Sequence, residues 1–556
     1  MKKAAYFILI LSSIHYFVPV QAQDIKQKGL NAITEQAVMG QLEFLSSDWT
    51  QGRGTGTEGA YMSADYIASL FKVYGLLPAG DVETRSISRE ERMAGKRPVQ
   101  LDTYFQNFNL LEYKNGEEHE LALVERFPSG ERTTVFALET DFSLRASDVA
   151  ESLEAPVVFV GYGLRDMESG YDDFKGIDVK GKVILRLGGY PGQDDPGSRA
   201  YKAFQSKYSG SGRGLRRDKS QVAEELGAVA VIEVQPGSDP ASNWAANLPF
   251  RYNSSDYEGT EARESFYETR MELPGDKLGR SPIQVSVSDR VVNALLDGTG
   301  INLEAFRKEV SNSLKPASLE LPGKRLKIRT TVDSKIIRAR NVVGVLPGKD
   351  TSEIIVIGAH YDHLGIHDGW IWNGADDNAS GTVGMMTIAK ACMATGEIPE
   401  KTIVFCAWTG EEKGLLGSEY FADHPYNRSK IILNLNFDMI SRDDKEDTLG
   451  VKCTMNYTKA YPVLEELTAK NVGDFGLNLD VNFRPAERPG GGSDHASFSR
   501  KDIPVIYFEA GFPPEYHQSS DHIELVNPTK MTNIIKAGYL TIWDLANREW
   551  GPSKTE

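Results

Sequence analysis

Four unbroken apolar runs stand out after Arg338: Ile354 to Ala359, Thr402 to Trp408, Ile431 to Phe437 and Ile503 to Phe508. They do not alternate with polar residues, so they predict strands buried on both faces. Between them, apolar positions recur at helical intervals over Ala379 to Thr395 and Ala460 to Asn471. Buried strands separated by helices predict an α/β fold, a mostly parallel central sheet flanked by helices. Residues 26 to 76 also read as helical. Ala60 to Tyr74 is the clearest part, with apolar positions three and four apart.

From about 145 to 330 the pattern changes. Short β-rich runs, Ala155 to Val160 and Lys182 to Arg186, alternate with Gly, Pro and Asp turns. A helical segment, Lys219 to Leu226, leads into the strand-like Ala228 to Val234, whereas Tyr190 to Gly214 has the composition of a loop. No internal repeat is present. The simplest organisation is one α/β domain with a β-rich insert. It comprises a leader over 1–22, an N-terminal part over 23–145, the insert over 146–330 and the main part over 331–556.

The leader is expected from Lys2-Lys3, an apolar stretch from Ala4 to Val20 and small residues up to Ala22. The stretch is short and interrupted by His15 and Pro19, which argues for cleavage and export rather than a membrane anchor. A periplasmic or extracellular protein is expected. Composition is ordinary for a globular chain of 556 residues, so a metal is not needed merely to fold. A formal net charge of -16 disfavours nucleic acid and anionic membrane as partners. The basic group Arg213, Arg216, Arg217 and Lys219 reads as a solvated loop. Cys392, Cys406 and Cys453 are an odd number, Cys406 lies in a buried run, and no disulfide is expected.

Each of the four apolar runs ends in acids or histidines. The first gives His360-Tyr-Asp-His363 and the next loop Gly374 to Gly381; the second gives Thr409-Gly-Glu-Glu-Lys413, the third Asp438, and the fourth Glu515 to Asp521. Ligands of open parallel sheets bind beyond the carboxyl ends of the strands, so these groups should converge. Imidazole and carboxylate suit zinc. Asp377, Glu412 and Asp438 with the neutral imidazoles of His360 and His517 would hold two such ions. Without cations, acids crowded in one cleft raise one another's pKa. Adjacent side chains point apart, so Glu412 is assigned as a ligand and Glu411 as the general base. Asp362 is expected to accept the free ring N–H of His360.

At these residues the chain resembles the di-zinc peptidases of metallopeptidase family twenty-eight, which include leucyl-type aminopeptidases, glutamate carboxypeptidases and the non-catalytic transferrin receptors. The likeness lies in His360-Tyr-Asp362, Asp377-Asn-Ala-Ser-Gly381, Gly410-Glu-Glu-Lys-Gly414, Asn436-Phe-Asp438 and Tyr516-His517, strongly over 338–530 and weakly over 30–110. The resemblance implies that Asp377 bridges two zinc ions, with His360 and Asp438 completing one and Glu412 and His517 the other. It makes Glu411 the base and sets Tyr516 near the carbonyl oxygen of a peptide substrate. Cobalt or manganese suits similar ligands. The middle region resembles a protease-associated domain through Phe159-Val-Gly-Tyr-Gly163, Tyr171-Asp-Asp-Phe and Gly181-Lys-Val-Ile. An aminopeptidase is the leading expectation, a carboxypeptidase or dipeptidase the second, and a non-catalytic binding protein the third.

Other residues near these motifs invite different readings. His363 and His367 match no ligand position and are expected to support the site or belong to a loop. Ser493-Asp494-His495 is expected to form a turn rather than a serine triad, because consecutive side chains diverge. Gly490 to Gly492 lacks the residues of a phosphate loop and is expected on the cleft rim. Trp370 and Trp372 either line a side-chain pocket or pack internally.

Overall fold

The computed structural model describes residues 23–553 apart from 145, 147–149, 209–211, 235–268, 276–280 and 368. The expected leader lies outside the described residues. The basic group expected in a solvated loop instead belongs to the helix Gly212–Glu225, where Lys219 is buried and donates to Leu187 O and Gly189 O. Among the described residues, no helix is long and apolar enough to cross a membrane.

The four apolar runs form adjacent strands of one ten-stranded sheet. Its strands are numbered here in chain order: β1 Phe105–Asn115, β2 Arg270–Glu272, β3 Val332–Leu346, β4 Asp350–His360, β5 Lys401–Trp408, β6 Lys430–Phe437, β7 Lys452–Thr458, β8 Asp480–Ala486 and β9 Val505–Glu509. Across the sheet the order is β2-β1-β3-β5-β4-β6-β9-β7-β8, with the two-residue strand Leu77–Pro78 paired to β3. The central strands β5, β4, β6 and β9 run parallel, as expected of strands buried on both faces; β6 buries even Asn434 and Asn436. Antiparallel pairs extend the sheet on both flanks, through β3 and β1 on one side and β7 on the other.

Every residue of β5 is buried, and so are the last seven of β4. Fully burying a Val, Ile or Phe side chain is worth about 1.5–3 kcal/mol, so the carboxyl ends of these strands rest on the most strongly held part of the chain. The helices Glu35–Leu45, Glu58–Tyr74, Gly381–Ala394 and Pro528–Ala546 supply apolar faces to the same core. Two of them open on threonine caps: Thr34 accepts from Ala37 N–H and Thr57 from Ala60 N–H. The three cysteines are buried and free.

A second, eight-stranded sheet holds the middle region, its strands drawn from Glu120 to Arg329. Three of them, Glu120–Phe127, Gly130–Phe136 and Phe142–Leu144, precede residue 146. The insert boundary expected at 146 is therefore too late. The composition changes there, but the strand pairing of Glu120–Phe127 with Leu319–Arg329 already closes this sheet. The segment is also less purely β than expected, since Ser152–Phe159, Val183–Leu187, Ala230–Val234 and Ile283–Val287 run parallel and helices pack beside them. The loop expected over Tyr190–Gly214 contains the helix Arg199–Tyr208. Ala200 and Phe204, one turn apart, are both buried, and Phe204 packs edge-on against Tyr171 and Tyr190. Tertiary packing outweighs a loop-like composition there.

One glycine shows how tightly the central strands meet. A Cβ on Gly358 of β4 would lie 1.9 Å from the Trp408 ring at the end of β5, and Trp408 is fully buried. Gly358→Ala is expected to lower unfolding free energy by about 1–3 kcal/mol in denaturant titration, as overpacking does. Gly40→Ala, in the helix Glu35–Leu45 with open space around it, is expected to raise it by about 0.5–1 kcal/mol.

Candidate metal centre

Several of the residues that converge beyond the strand ends do so because they follow a buried strand directly. His360 is the last residue of β4, Glu411 and Glu412 lie in the turn after β5, and Asp438 follows β6. The Asp438 N–H donates to Phe508 O of β9, which fixes the height of this acid beside its neighbouring strand. His517 comes from the loop after β9, with φ 54°. Asp377 sits in the turn Ala375–Ser380, ahead of the helix Gly381–Ala394; its peptide bond to Asn378 is cis.

Asp377 is at the centre of this arrangement. Its Oδ1 lies 3.5 Å from His360 Nε2, which is 3.4 Å from Asp438 Oδ1. Its Oδ2 lies 3.0 Å from His517 Nε2, which is 3.1 Å from Glu412 Oε2. The two oxygens of one carboxylate thus face two separate sets, each with one imidazole and one further acid. His360, Asp377, Asp438 and His517 are all buried.

The donor set fits divalent cations. Asp438 Oδ1 is buried with no hydrogen-bond partner, an arrangement that costs free energy unless a cation meets it. Burial drives the Glu411 carboxyl well above its ordinary pKa, with Glu412, Asp494 and Asp438 adding to the effect. Asp438 is raised by burial and by Asp377. Burial opposes ionisation of Glu412 too, yet His517 and His363 beside it hold its carboxyl well below the usual range. Burial works against the His360 cation, but Glu411, Asp438 and Asp377 outweigh it and raise His360 well above 6.5. Two cations in place of protons would relieve the same crowding.

The surrounding shell differs from the expectation at two residues. Asp362 reaches His360 through its backbone: His360 Nδ1 is 3.1 Å from Asp362 O and 3.8 Å from the carboxylate. The Asp362 carboxylate is occupied elsewhere, accepting from Glu411 N–H at 3.2 Å and from Thr55 Oγ1 at 2.9 Å. His363 is closer to the chemistry than expected. Its Nδ1 is 2.9 Å from Glu412 Oε1, within reach of the same group of donors. His367 ends the short strand Gly365–His367, paired with Trp370, and its Nε2 is 2.7 Å from Leu364 O.

Ser493, Asp494 and His495 do diverge. Ser493 Oγ accepts from Asn436, whereas the His495 ring stacks on Tyr507 at 4.2 Å. Gly492 lines the cleft. Trp372 is fully buried and Trp370 partly exposed, both on a two-stranded hairpin, and neither is among the cleft-lining residues.

Two supports had little signal in the sequence. Asp521 accepts from the N–H groups of Asp376 and Asp377 at 3.0 to 3.1 Å and thereby sets the turn that carries Asp377. Arg53, fully buried, donates to four carbonyls: Leu45, Tyr361, Asn373 and Gly374, at 2.5 to 2.9 Å. One guanidinium thus ties the N-terminal segment to the stretches that present His360 and Asp377. Gly52 before it, at φ 64°, has no room for a Cβ, which would lie 2.5 Å from Gly365 O and Trp372 O. Arg53→Met is expected to cost about 3 kcal/mol or more in denaturant unfolding, because four buried carbonyls lose their donor. It is also expected to weaken zinc binding measured by calorimetry.

Residues 341–540 match the model of peptidase family M28. The glutamate carboxypeptidase 2 homolog of Caenorhabditis briggsae is 27% identical over 403 residues, covering 64% of this chain and 48% of that protein. Aminopeptidase YwaD of Bacillus subtilis is 27% identical over 269 residues, covering 46% and 53% respectively. The chain spans about half the length of these curated relatives. Among solved structures, the aminopeptidase from Aneurinibacillus sp. strain AM-1 superposes with a TM-score of 0.54 at 18% identity, covering 96% of this chain and 98% of that one, a likeness of fold. The segment that matches the family model, 341–540, contains every residue of the candidate centre except the supports Arg53 and Thr55.

Proposed function

We propose that this protein is an exported zinc-dependent exopeptidase that removes N-terminal residues from peptides. The observation that supports it most directly is the division of Asp377 between two imidazole–carboxylate pairs, with Glu411 lining the same cleft. In this reading His360 and Asp438 hold one ion, Glu412 and His517 the other, and Asp377 is shared. His363 orients Glu412. Bound there, two zinc ions would polarise the scissile carbonyl and lower the pKa of an attacking water.

Glu411 is positioned for the proton work. Its backbone N–H is held by Asp362, so its side chain enters the cleft from a fixed point, 4.0 Å from His360 Nε2. A burial-raised carboxyl takes a proton from water more readily than an exposed one and can return it to the departing amine. Burial, followed by the nearby acids, keeps the Tyr516 hydroxyl protonated well above its ordinary range. Tyr516 therefore donates a hydrogen bond to the carbonyl oxygen as negative charge develops there.

The cleft composition favours a free amine over a free carboxylate. Among the described residues that line it, none is Lys or Arg, while Met439, Tyr507 and Phe512 offer apolar surface beside the acids. Arginines nearby are committed: Arg442 pairs with Glu515 at 2.6 Å and Arg488 with Asp502 at 2.6 Å. A carboxypeptidase, the second reading, needs a cation facing the substrate terminus. The second sheet is read as a protease-associated insert that supplies no metal ligand.

Leu-p-nitroanilide is expected to be hydrolysed and an N-acetylated peptide to be spared; cleavage of the blocked peptide alone would reverse the assigned polarity. Glu411→Gln is expected to lower kcat by about 10²- to 10⁴-fold, with zinc content by metal analysis unchanged.

A further inference from the structure

Beside the metal centre lies a carboxylate that the proposed reaction does not use. Glu509 ends β9, next to Asp438 across the parallel pair, where Asn436 faces Tyr507 and Phe437 faces Phe508. Side chains two apart on a strand share a face, so Glu509 stands on the same side of the sheet as Tyr507, which lines the cleft. The Tyr507 hydroxyl donates to Glu509 Oε2 at 3.1 Å, and Asn456 of β7 hydrogen-bonds the same carboxyl. These are neutral partners. Among the described residues Glu509 makes no ion pair, and Arg484 acts on it only from a distance. The Arg484 guanidinium is turned towards the Asn482 side-chain amide, at 3.0 and 3.1 Å. A partly buried carboxylate, oriented by two hydrogen bonds and left without a cation, is a recognition group for one.

Its place beside the apolar lining of the cleft indicates which cation. Met439, Tyr507 and Phe512 line the cleft, whereas Glu509 does not line it and adjoins it through its hydrogen bond from Tyr507. A long side chain with an apolar stem and a charged end suits that order of surfaces, since the stem packs on apolar groups while the head reaches the polar one. Resting on the aminopeptidase reading above, we propose that Glu509 is a specificity-determining residue that selects peptides beginning with lysine or arginine.

The test compares Lys-p-nitroanilide with norleucine-p-nitroanilide, which has the same stem and no charge. In the wild type, kcat/KM is expected to be at least 10-fold higher for lysine. Glu509→Gln is expected to reduce that ratio by 10-fold or more, with norleucine turnover within about 2-fold of wild type. Acetylating the lysine Nε of the substrate should produce the same loss with the unaltered enzyme, independent of how the variant folds. A ratio unmoved by either change overturns the role of Glu509 alone. A Glu509→Gln variant that lowers both substrates equally while acetylation has no effect overturns it as well, and assigns the carboxylate to the common α-amine. Wild type that turns over neither substrate, while loaded with zinc, removes the aminopeptidase reading and this inference together.

Discussion

Four carboxylates, Asp377, Glu411, Glu412 and Asp438, are crowded into one buried cleft, and the architecture around them follows from that constraint. Like charges in a medium of low polarity repel strongly. A fold that tolerates them must hold the backbone rigid and provide positive charge. Rigidity comes from β4, β5 and β6, which are buried almost throughout and deliver His360, the glutamate pair and Asp438 at their ends. Part of the positive charge comes from Arg53, whose guanidinium sits close enough to Asp377, Asp521, Asp362 and Glu412 to feel all of them. Burial still lowers Arg53 to about 10, which leaves it charged at neutral pH. The remaining deficit falls between the two faces of Asp377, where the donor atoms converge.

Much of this was legible in the sequence because the signals were local. An unalternating apolar run followed at once by acid or histidine marks both a central strand and the functional group at its end. That pattern pointed to His360, the glutamate pair and Asp438, while Asp377 and His517 lie in loops further along the chain. The supports were harder to see, since their role depends on contacts across the fold. Arg53 lies 308 to 321 positions from three of the four carbonyls it binds, in a segment with only weak likeness to the family. Asp362 was placed near His360 correctly, but which of its atoms makes the contact depends on Thr55 and the Glu411 amide competing for the carboxylate. His363 offered no spacing that distinguished it from a loop histidine.

The middle region followed the same rule in reverse. Its strands were visible as short β-rich runs, but membership of a sheet depends on partners. Glu120–Phe127 joins the second sheet through its pairing with Leu319–Arg329, nearly two hundred residues away. The helix Arg199–Tyr208 has a polar composition and forms around one buried aromatic, Phe204. The return of the chain through β2 into the first sheet joins the two units. There the Lys413 ammonium, directly after the glutamate pair, donates to Thr269 O at 3.1 Å. The turn that carries Glu411 and Glu412 is thus tied to the segment that leaves the second sheet.

The most direct measurement is anomalous diffraction at the zinc edge from crystals grown with the metal. The account predicts two peaks about 3.5–4 Å apart, one beside each oxygen of Asp377, with His360 and Asp438 at one and Glu412 and His517 at the other. A single peak, or two peaks that do not share the Asp377 carboxylate, would contradict it.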